Sequence, residues 1–332
     1  MPVSIRPAAP SDLDDLAVLL LSDAKARQDA NPGLWRLSPS PLERVRESLQ
    51  AAMEATNPPV RQQWLIAVDK GRTVGVTHSI LLPVPPIYAG RFGPPGLVME
   101  DCHVCPDAPA GTRQALLEAA EADLKTAGAV ILLASSISGG DWEGDFATQG
   151  YAPLTAYLVK SGLSASTVSG TVRPAVEADV PGIVTASAVH RRVLDQLNHR
   201  FWEPHTQADA RFGAWMRRSL TLEDRDMFVS EDHGRIRGYA ISQPATPLHF
   251  PVPHDISGVG VIDDFFHDAI EDPGARKVQD EGARALITAA EAARAARGDH
   301  AVMVVCPARW QSKIDMLGSL GYRTAITWHI KE

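Results

Sequence analysis

The fold is decided by a short stretch near the start of the chain, which reads Ile5-Arg6-Pro7-Ala8. It returns 167 positions later as Val172-Arg173-Pro174-Ala175, and Trp35 returns at the same spacing as Trp202. Further pairs follow in the same order: 71–75 with 234–238, 115–122 with 285–292, and Gly150-Tyr151 with Gly321-Tyr322. Ordered matches whose spacing drifts by a few residues, as loop insertions produce, predict two copies of one fold.

Each copy has the pattern of a mixed α/β (α+β) unit. The predicted order is a strand, two helices, further strands, a helix, a strand, a short helix and a last strand. Ser11 suits the N-cap of the first helix, and residues 97–104 form a predicted strand in the middle of the first copy. We expect domains at 1–160 and 168–332, joined by a small and polar linker at 161–167.

Composition excludes several classes of protein. Lysine and arginine total 32 against 40 aspartates and glutamates, so the net charge is −8 and argues against a nucleic-acid partner. The longest apolar stretches, such as 129–134, are too short to cross a membrane, and the first residues predict no secretory signal. With three cysteines in 332 residues, the default compartment is the reducing cytoplasm.

One motif in each copy carries a resemblance to a known family. Residues 100–106 read Glu-Asp-Cys-His-Val-Cys-Pro, and 263–267 read Asp-Asp-Phe-Phe-His at the equivalent place. The chain resembles the GNAT superfamily of acyl-CoA-dependent N-acyltransferases, whose fourth strand often reads Glu-Asp-x-x-Val-x-Pro. The resemblance covers nearly the whole chain and implies two tandem GNAT folds, in a mycothiol synthase-like arrangement. Each fold would be a mostly antiparallel mixed sheet flanked by helices.

The resemblance implies acetyl-CoA as co-substrate, no metal, and a carboxylate on the fourth strand as general base. That base would be Glu100 in the first copy or Asp263 in the second. The pantetheine arm would pair with the backbone of the fourth strand, and the pyrophosphate would lie on the N-terminus of the following helix. The implied cofactor-binding residues are Cys102, His103, Val104, Ala110, Gly111, Thr112, Arg113 and Gln114 in the first copy, and Phe265, Phe266, Gly282 and Ala283 in the second.

The phosphate loops depart from the family pattern of (Arg/Gln)-x-x-Gly-x-(Gly/Ala). The first copy keeps Gly111 but has Arg113 where a small residue is expected. The second keeps Ala283 but replaces the glycine by Glu281, which together with Asp280 would repel a pyrophosphate. This comparison favours the first copy as the acetyl-CoA site. Arg276 and Lys277 in the longer second loop are the counter-argument, although a solvated charge pair explains them as well.

The family's general acid is also missing. A tyrosine four residues before the final Gly-Tyr or Gly-Phe pair often protonates the leaving thiolate, but those positions hold Phe146 and Leu317. Neither side chain can donate a proton. The acid therefore lies elsewhere, water assists the thiolate, or one or both copies are not catalytic.

Other candidates have two interpretations each. Strict alternation along a strand would put Glu100 and Asp101 on opposite faces, so at most one faces a cleft. Cys102 and Cys105 form a single Cys-x-x-Cys, which is more typical of buried small hydrophobes than of a zinc site. Trp35 and Trp202 are expected either to wall an acceptor pocket for an apolar or aromatic amine or to pack as a lid on the core.

The sequence thus predicts an N-acetyltransferase that acts on the primary amine of a small molecule. The alternative is a non-catalytic acyl-CoA-binding or scaffold protein with degenerate GNAT domains. We expect no membrane partner and a monomer or homodimer, and the identity of the amine is not fixed by the sequence.

Overall fold

The computed structural model describes residues 3–56, 58, 60–88, 93–164, 171–248, 250–275 and 280–331. The expected linker lies partly outside these ranges, so the domain boundaries stay a prediction. Arg276 and Lys277 also lie outside them. Within the described ranges no helix is both long enough and apolar enough to cross a membrane.

Both halves of the chain carry the element order that the repeats predict, except that the C-terminal half has one additional short helix before its second strand. The N-terminal repeat contains β1 (Ser4–Pro7), α1 (Leu13–Ala30), α2 (Pro41–Glu54), β2 (Gln62–Asp69), β3 (Arg72–Leu81), β4 (Pro95–Val98), β5 (His103–Val104), α3 (Thr112–Thr126), β6 (Ile131–Ile137), α4 (Trp142–Thr148) and β7 (Tyr151–Ser161). The C-terminal repeat contains β8 (Val172–Pro174), α5 (Val180–Leu197), α6 (His199–Trp202), α7 (Ala208–Ser219), β9 (Asp226–Asp232), β10 (Arg235–Pro244), β11 (Val259–His267), α8 (Glu281–Ala296), β12 (Ala301–Pro307), α9 (Gln311–Ser319) and β13 (Arg323–Lys331).

The described strands form one continuous sheet in which the repeats exchange their last strands. The order is β1-β2-β3-β4-β6-β13-β7-β12-β11-β10-β9-β8, with β5 paired to β3. β13 of the C-terminal repeat lies between β6 and β7, and β7 of the N-terminal repeat pairs with β12. The largest hydrophobic cluster accordingly draws side chains from both repeats. Each repeat therefore needs the other to complete its part of the sheet.

The exchange is reciprocal down to single side chains. Lys160 on β7 pairs with Glu291 of the C-terminal repeat, with Nζ 2.7 Å from Oε2. Lys331 on β13 pairs with Glu121 of the N-terminal repeat, with Nζ 2.5 Å from Oε1. Each lysine thus ties a last strand to a helix of the opposite repeat, and each ammonium also lies over a tyrosine ring of that repeat.

The fourth strand differs between the repeats and from the expected uninterrupted strand over 97–104. In the N-terminal repeat β4 ends at Val98 and β5 begins at His103, so Glu100 and Asp101 lie between the two strands, where strand alternation does not apply, and both side chains are buried. In the C-terminal repeat β11 is unbroken, but its register against β10 shifts so that Asp263 has no partner residue. A bulge of this kind re-aims a side chain.

The fourth strand leaves its parallel neighbour part-way along in both repeats. Pairing of β4 with β6 ends at Val98 and Ala134, and pairing of β11 with β12 ends at Ile262 and Val304. Beyond these residues, 99–104 are no longer paired with β6, and 263–267 are no longer paired with β12. We call the two openings the N-terminal gap, between 99–104 and 135–137, and the C-terminal gap, between 263–267 and 305–307.

Candidate functional site

The C-terminal repeat encloses a cavity of about 600 Å³ beside its gap. Helices α5 and α7 form the walls, and the N-terminal repeat supplies Thr155 and the segment 85–88. The residues that line the chemical end of the cavity are Asp263, Asp264, His190, Val305, Pro307 and Lys313. A space of this size suits a small molecule rather than an extended chain.

Asp263 is the more exposed of the two carboxylates that line this cavity. Its Oδ2 accepts a hydrogen bond from Gln243 Nε2 over 2.7 Å. Asp263 is exposed to the cavity, and the surrounding protein reduces the hydration of its carboxylate. This desolvation, followed by repulsion from Asp264, raises the pKa of Asp263 to about 7. A carboxylate with that pKa is suited to taking a proton at neutral pH.

Asp264 is held by a buried hydrogen-bond network. The Tyr239 hydroxyl donates to Asp264 Oδ1 over 2.9 Å, and His190 Nδ1 lies 3.1 Å from the same oxygen. We assign the Nδ1 proton to His190, because a carboxylate oxygen needs a donor at that distance. Burial lowers the pKa of His190, which keeps the ring neutral at neutral pH. Asp264 is thus fixed in place, and Asp263 is left to meet a substrate.

Lys313 lies on α9 at the floor of the cavity, with only 1% of the residue exposed. Its Nζ donates to the carbonyl oxygen of Phe265 over 2.8 Å, inside the C-terminal gap. The ammonium also lies 5.1 Å from the ring centroid of Phe265 and 5.5 Å from that of Trp310. Burial lowers the pKa of Lys313, against the opposing effects of Cys306 and Asp264. The gap therefore holds a buried, titratable amino group where β11 separates from β12.

The equivalent pocket of the N-terminal repeat is almost filled. It measures about 10 Å³ and is lined by α1, α2, Asp101 and the segment 251–253. Arg27 occupies the position of Leu194 in the other repeat, 167 residues later. Its guanidinium pairs with Asp23 and donates to the carbonyl oxygen of Glu100 over 2.8 Å. The arginine takes up the volume that Leu194 leaves open, so of these two matching pockets the C-terminal one can admit a ligand.

Solved structures share this architecture along the entire chain. The chain is similar to a GCN5-related N-acetyltransferase from Sphaerobacter thermophilus, with 17% identity, a TM-score of 0.54, and an alignment over 99% of this chain and 95% of that one. The chain has a tandem GNAT fold. The sequence matches no protein-family model and no curated protein.

Two further structures resemble this tandem GNAT fold. A glucosamine N-acetyltransferase region of a fungal multi-domain GH3 β-N-acetylglucosaminidase is 14% identical, with a TM-score of 0.53 over 98% of this chain and 38% of that one. A tandem GNAT protein from the clavulanic acid biosynthesis pathway is 14% identical, with a TM-score of 0.47 over 99% of this chain and 97% of that one. At identities this low, the two similarities with TM-scores above 0.5 show the fold alone, and the chemistry has to be argued from the residues.

Glu100, the first sequence candidate for the base in the tandem GNAT fold, is buried at 5% exposure. Neither of its carboxylate oxygens has a hydrogen-bond partner of ordinary geometry among the described residues. Desolvation, followed by the charge of Asp101, raises its pKa to about 7. Glu100 thus shares the raised pKa of Asp263, but it lies beneath the filled pocket and does not face a comparable cavity.

Glu100→Gln should stabilise the protein at pH 8, because it removes a buried charge. The pKa of Glu100 is about 7 in the folded protein against an ordinary value of 4.5, so ionisation costs stability progressively between these pH values and fully above 7. The gain in the free energy of unfolding should reach at most about 3 kcal/mol at pH 8 and vanish near pH 4.5. Urea unfolding at both pH values measures it. Glu118→Gln, on the exposed face of α3, is the matched control, and an equal effect from both variants would contradict the explanation.

Both gaps contain a side chain from the helix that follows the strand beyond the gap, which is α4 after β6 and α9 after β12. Trp142 on α4 donates its indole N–H to the carbonyl oxygen of Cys102 over 3.1 Å. Trp142 lies eight residues before Gly150, as Lys313 lies eight before Gly321. Cys102 and Phe265 likewise each lie two residues after Glu100 and Asp263. Equivalent side chains of the two repeats therefore donate hydrogen bonds to equivalent backbone carbonyls. The resemblance implies that a pantetheine arm would pair with the same backbone groups.

The expected phosphate site of the N-terminal repeat has free space, but its arginine is already paired with carboxylates. Gly111 begins α3 with φ of 83°, and an added Cβ there would meet no atom within 4 Å. Arg113 Nε lies 2.5 Å from Asp145 and its Nη1 lies 3.5 Å from Asp141. Two carboxylates thus offset the charge that Arg113 would bring to a pyrophosphate. Ala110, Thr112 and Gln114 lie on the same turn.

The corresponding turn of the C-terminal repeat is closed by its own cap. Asp280 Oδ1 accepts the backbone N–H of Ala283 over 2.9 Å, so that donor is already used. Ala283 is fully buried, and an added Cβ on Gly282 would meet His267 Nε2 at 2.8 Å. Among the described residues of this repeat, α8 would therefore have to release Asp280 to receive a phosphate.

The two tryptophan candidates have different surroundings. Trp202 lines the C-terminal cavity. Trp35 is buried and packs against Phe250 and His254 of the C-terminal repeat, with centroid distances of 5.1 Å to each. Of the fourth-strand candidates, Phe265 and Phe266 are buried, while His103 and Val104 are half-buried on β5. The structure thus brings Trp202 and Asp263 to one cavity and leaves Trp35 outside it.

Sequence reasoning missed Lys313, His190 and Arg27 as residues that shape the site. Lys313 and Trp142 each lie eight residues before a Gly-Tyr pair. This equivalence was the one sequence signal for Lys313, because no family motif marks the position. Nothing in the sequence indicated that Arg27 folds back onto the carbonyl of Glu100.

Proposed function

We propose that this chain is an acyl-CoA-dependent N-acyltransferase whose C-terminal repeat transfers an acetyl group to the amine of a small molecule. The observation that carries the proposal is the cavity of about 600 Å³ that joins Asp263 to the C-terminal gap. This assignment is opposite to the preference for the first copy that the phosphate loops suggested. The contrast between Arg27 and Leu194 supports the change.

The residues of the cavity supply the proton chemistry of such a transfer. Asp263 accepts the proton that the amine must lose before its nitrogen can attack, and its pKa of about 7 matches that task. Tyr239 and His190 hold Asp264 beside it. An acyl-CoA, when bound, supplies the acyl group as an activated thioester. The gap beside Asp263 would hold its acyl end.

The N-terminal repeat would act as a structural partner that shapes the acceptor end. Its segment 85–88 lies on the C-terminal repeat, where Arg211 Nη1 donates to the carbonyl oxygen of Pro86 over 2.7 Å and His205 N–H donates to that of Ile87 over 2.9 Å. The aromatic wall of Trp202 and Trp215 suits an apolar or aromatic amine. The proposal includes a cytoplasmic location and a monomer or homodimer.

Calorimetric titration of acetyl-CoA tests which repeat binds it. Val305→Trp fills the C-terminal cavity at the gap and should weaken binding by about tenfold or more, which is about 1.4 kcal/mol. Gly111→Asp adds a carboxylate to the N-terminal phosphate loop without a clash, and aspartate tolerates positive φ. We expect this variant, and its neutral match Gly111→Asn, to bind as the wild type does.

Each other result has a definite meaning. Loss of binding in Gly111→Asp, with Gly111→Asn and Val305→Trp unaffected, would place acetyl-CoA in the N-terminal repeat. If the wild type binds acetyl-CoA and releases thiol with a member of a panel of small amines, the transferase proposal stands.

A second candidate function is a non-catalytic acyl-CoA-binding or scaffold protein. The observation in its favour is that Trp142 and Lys313 already donate hydrogen bonds to the backbone carbonyls of Cys102 and Phe265 in the two gaps. Binding without turnover of any amine in the panel would favour this candidate. No binding of acetyl-CoA to the wild type would contradict the transferase.

A further inference from the structure

Acyl transfer from a thioester needs a proton for the leaving sulfur, and the residue that often supplies it in the GNAT superfamily is absent here. Leu317 holds that position on α9. Lys313 lies four residues earlier, which is one turn along the same face of the helix. Its ammonium is buried in the C-terminal gap, and the residue lines the same cavity as Asp263. A proton donor and a proton acceptor from different elements thus face one space.

We propose that Lys313 is the proton donor to the leaving thiolate, an inference that rests on the transferase function proposed above. After the ammonium has lost one proton through Asp263 to solvent, the amine nitrogen forms its bond to the acyl carbon with its own lone pair, and Asp263 takes the second proton that the nitrogen loses. The bond from carbon to sulfur breaks with its electron pair moving to sulfur, which takes a proton from Lys313 Nζ. The products are an amide and a thiol, and water in the cavity returns the proton from Asp263 to Lys313.

The surroundings of Lys313 keep a transferable proton in the gap. Burial lowers its pKa, while Asp264 on β11 and Cys306 on β12 act in the opposite direction. His190 on α5 is the other titratable group that faces it, and its own pKa is lowered by burial. The Phe265 carbonyl, 2.8 Å away, holds the ammonium along the strand that carries Asp263. A charged lysine in this setting gives up its proton more readily than one in water does.

Trp142 holds the position in the N-terminal repeat that Lys313 holds in the C-terminal repeat. Trp142 makes the same kind of hydrogen bond to the strand carbonyl, but an indole N–H is a donor that does not ionise at neutral pH. The N-terminal repeat therefore has the non-ionising side chain of Trp142 where the C-terminal repeat has the titratable Lys313. This pairing is independent of the cavity volumes and supports the same assignment.

The test measures the ionisation of the thiol of bound coenzyme A. A pH titration of the ultraviolet absorbance of the thiolate gives the acid dissociation constant of the thiol on the wild type and on Lys313→Met. A cation beside the sulfur favours the thiolate, so we expect the constant to be about tenfold higher on the wild type than on the variant. Lys313→Gln, which loses the charge but keeps a donor for Phe265, should behave like Lys313→Met. It also serves as the comparison if the methionine variant does not fold.

A matched control removes a lysine outside the cavity. Lys160→Met breaks the pair with Glu291 and should leave the ionisation of the bound thiol as in the wild type. Equal ionisation of the thiol on the wild type, Lys313→Met and Lys313→Gln would overturn the role of Lys313 while leaving the transferase function standing. Failure of coenzyme A and acetyl-CoA to bind the wild type would overturn the transferase function itself, and this inference with it.

Discussion

Asp263→Asn is expected to lower the turnover of acetyl transfer by about 10²- to 10⁴-fold, which is the usual contribution of a positioned general base. The amide keeps the size of the side chain and its contact with Gln243, but it cannot accept a proton from an ammonium. The turnover of the wild type should rise with pH and level off above about 7, because Asp263 is protonated below its pKa of about 7 and ionised above it. The variant should lose this rise.

Glu100→Gln is the matched control for this prediction, because it makes the same change in the equivalent carboxylate of the N-terminal repeat. Steady-state thiol release from acetyl-CoA with the best amine of the panel, measured from pH 5 to 9, compares the three proteins. We expect Glu100→Gln to keep the turnover and pH profile of the wild type. If Glu100→Gln instead removed activity and Asp263→Asn retained it, the base would belong to the N-terminal repeat.

Thr327→Pro should unfold both repeats together, although the substitution lies in the C-terminal one. Thr327 is buried on β13, where it is opposite Ser136 of β6 and Ala156 of β7. Proline removes a backbone donor from a central strand and cannot be accommodated there without breaking the ladder. The expected loss is about 3 kcal/mol or more of the free energy of unfolding.

Urea unfolding followed by amide hydrogen exchange checks this second prediction. The amides of β6 in the N-terminal repeat should lose protection together with those of β12 in the C-terminal one. Ser4→Pro is the matched control, since Ser4 is exposed on the edge strand β1, where proline is tolerated. Full protection of β6 in Thr327→Pro would show that the N-terminal repeat is stable without β13.

Much of the fold could be predicted because the repeats report it twice. The predicted order of strands and helices recurs from β1 to β7 and again from β8 to β13. The exchange of β7 and β13 could not be predicted, since Tyr151 begins β7, Tyr322 directly precedes β13, and both strands have the same apolar pattern. Either strand satisfies either repeat equally well by that pattern, and the choice depends on packing across the whole sheet.

The candidate site was predicted less completely than the fold. The position of Asp263 followed from the fourth-strand motif, but the preference for the other repeat came from loop residues such as Gly111 and Glu281. What distinguishes the repeats is the volume beneath α1 and α5, where Arg27 bends back and Leu194 does not. Single substitutions at a buried position change a cavity without changing any periodicity, so sequence patterns do not report them.

The position of β13 has a consequence for synthesis on the ribosome. Residue 161 ends β7 and residue 331 ends β13, so 170 further residues must be made before the strand that belongs between β6 and β7 exists. At about 5–20 residues per second, the nascent N-terminal repeat waits roughly 10–30 seconds with the edges of these two strands unpaired. Unpaired edges are templates for pairing with other chains. Slower translation, or a ribosome stalled before the codons of β13, should therefore favour aggregation of this protein.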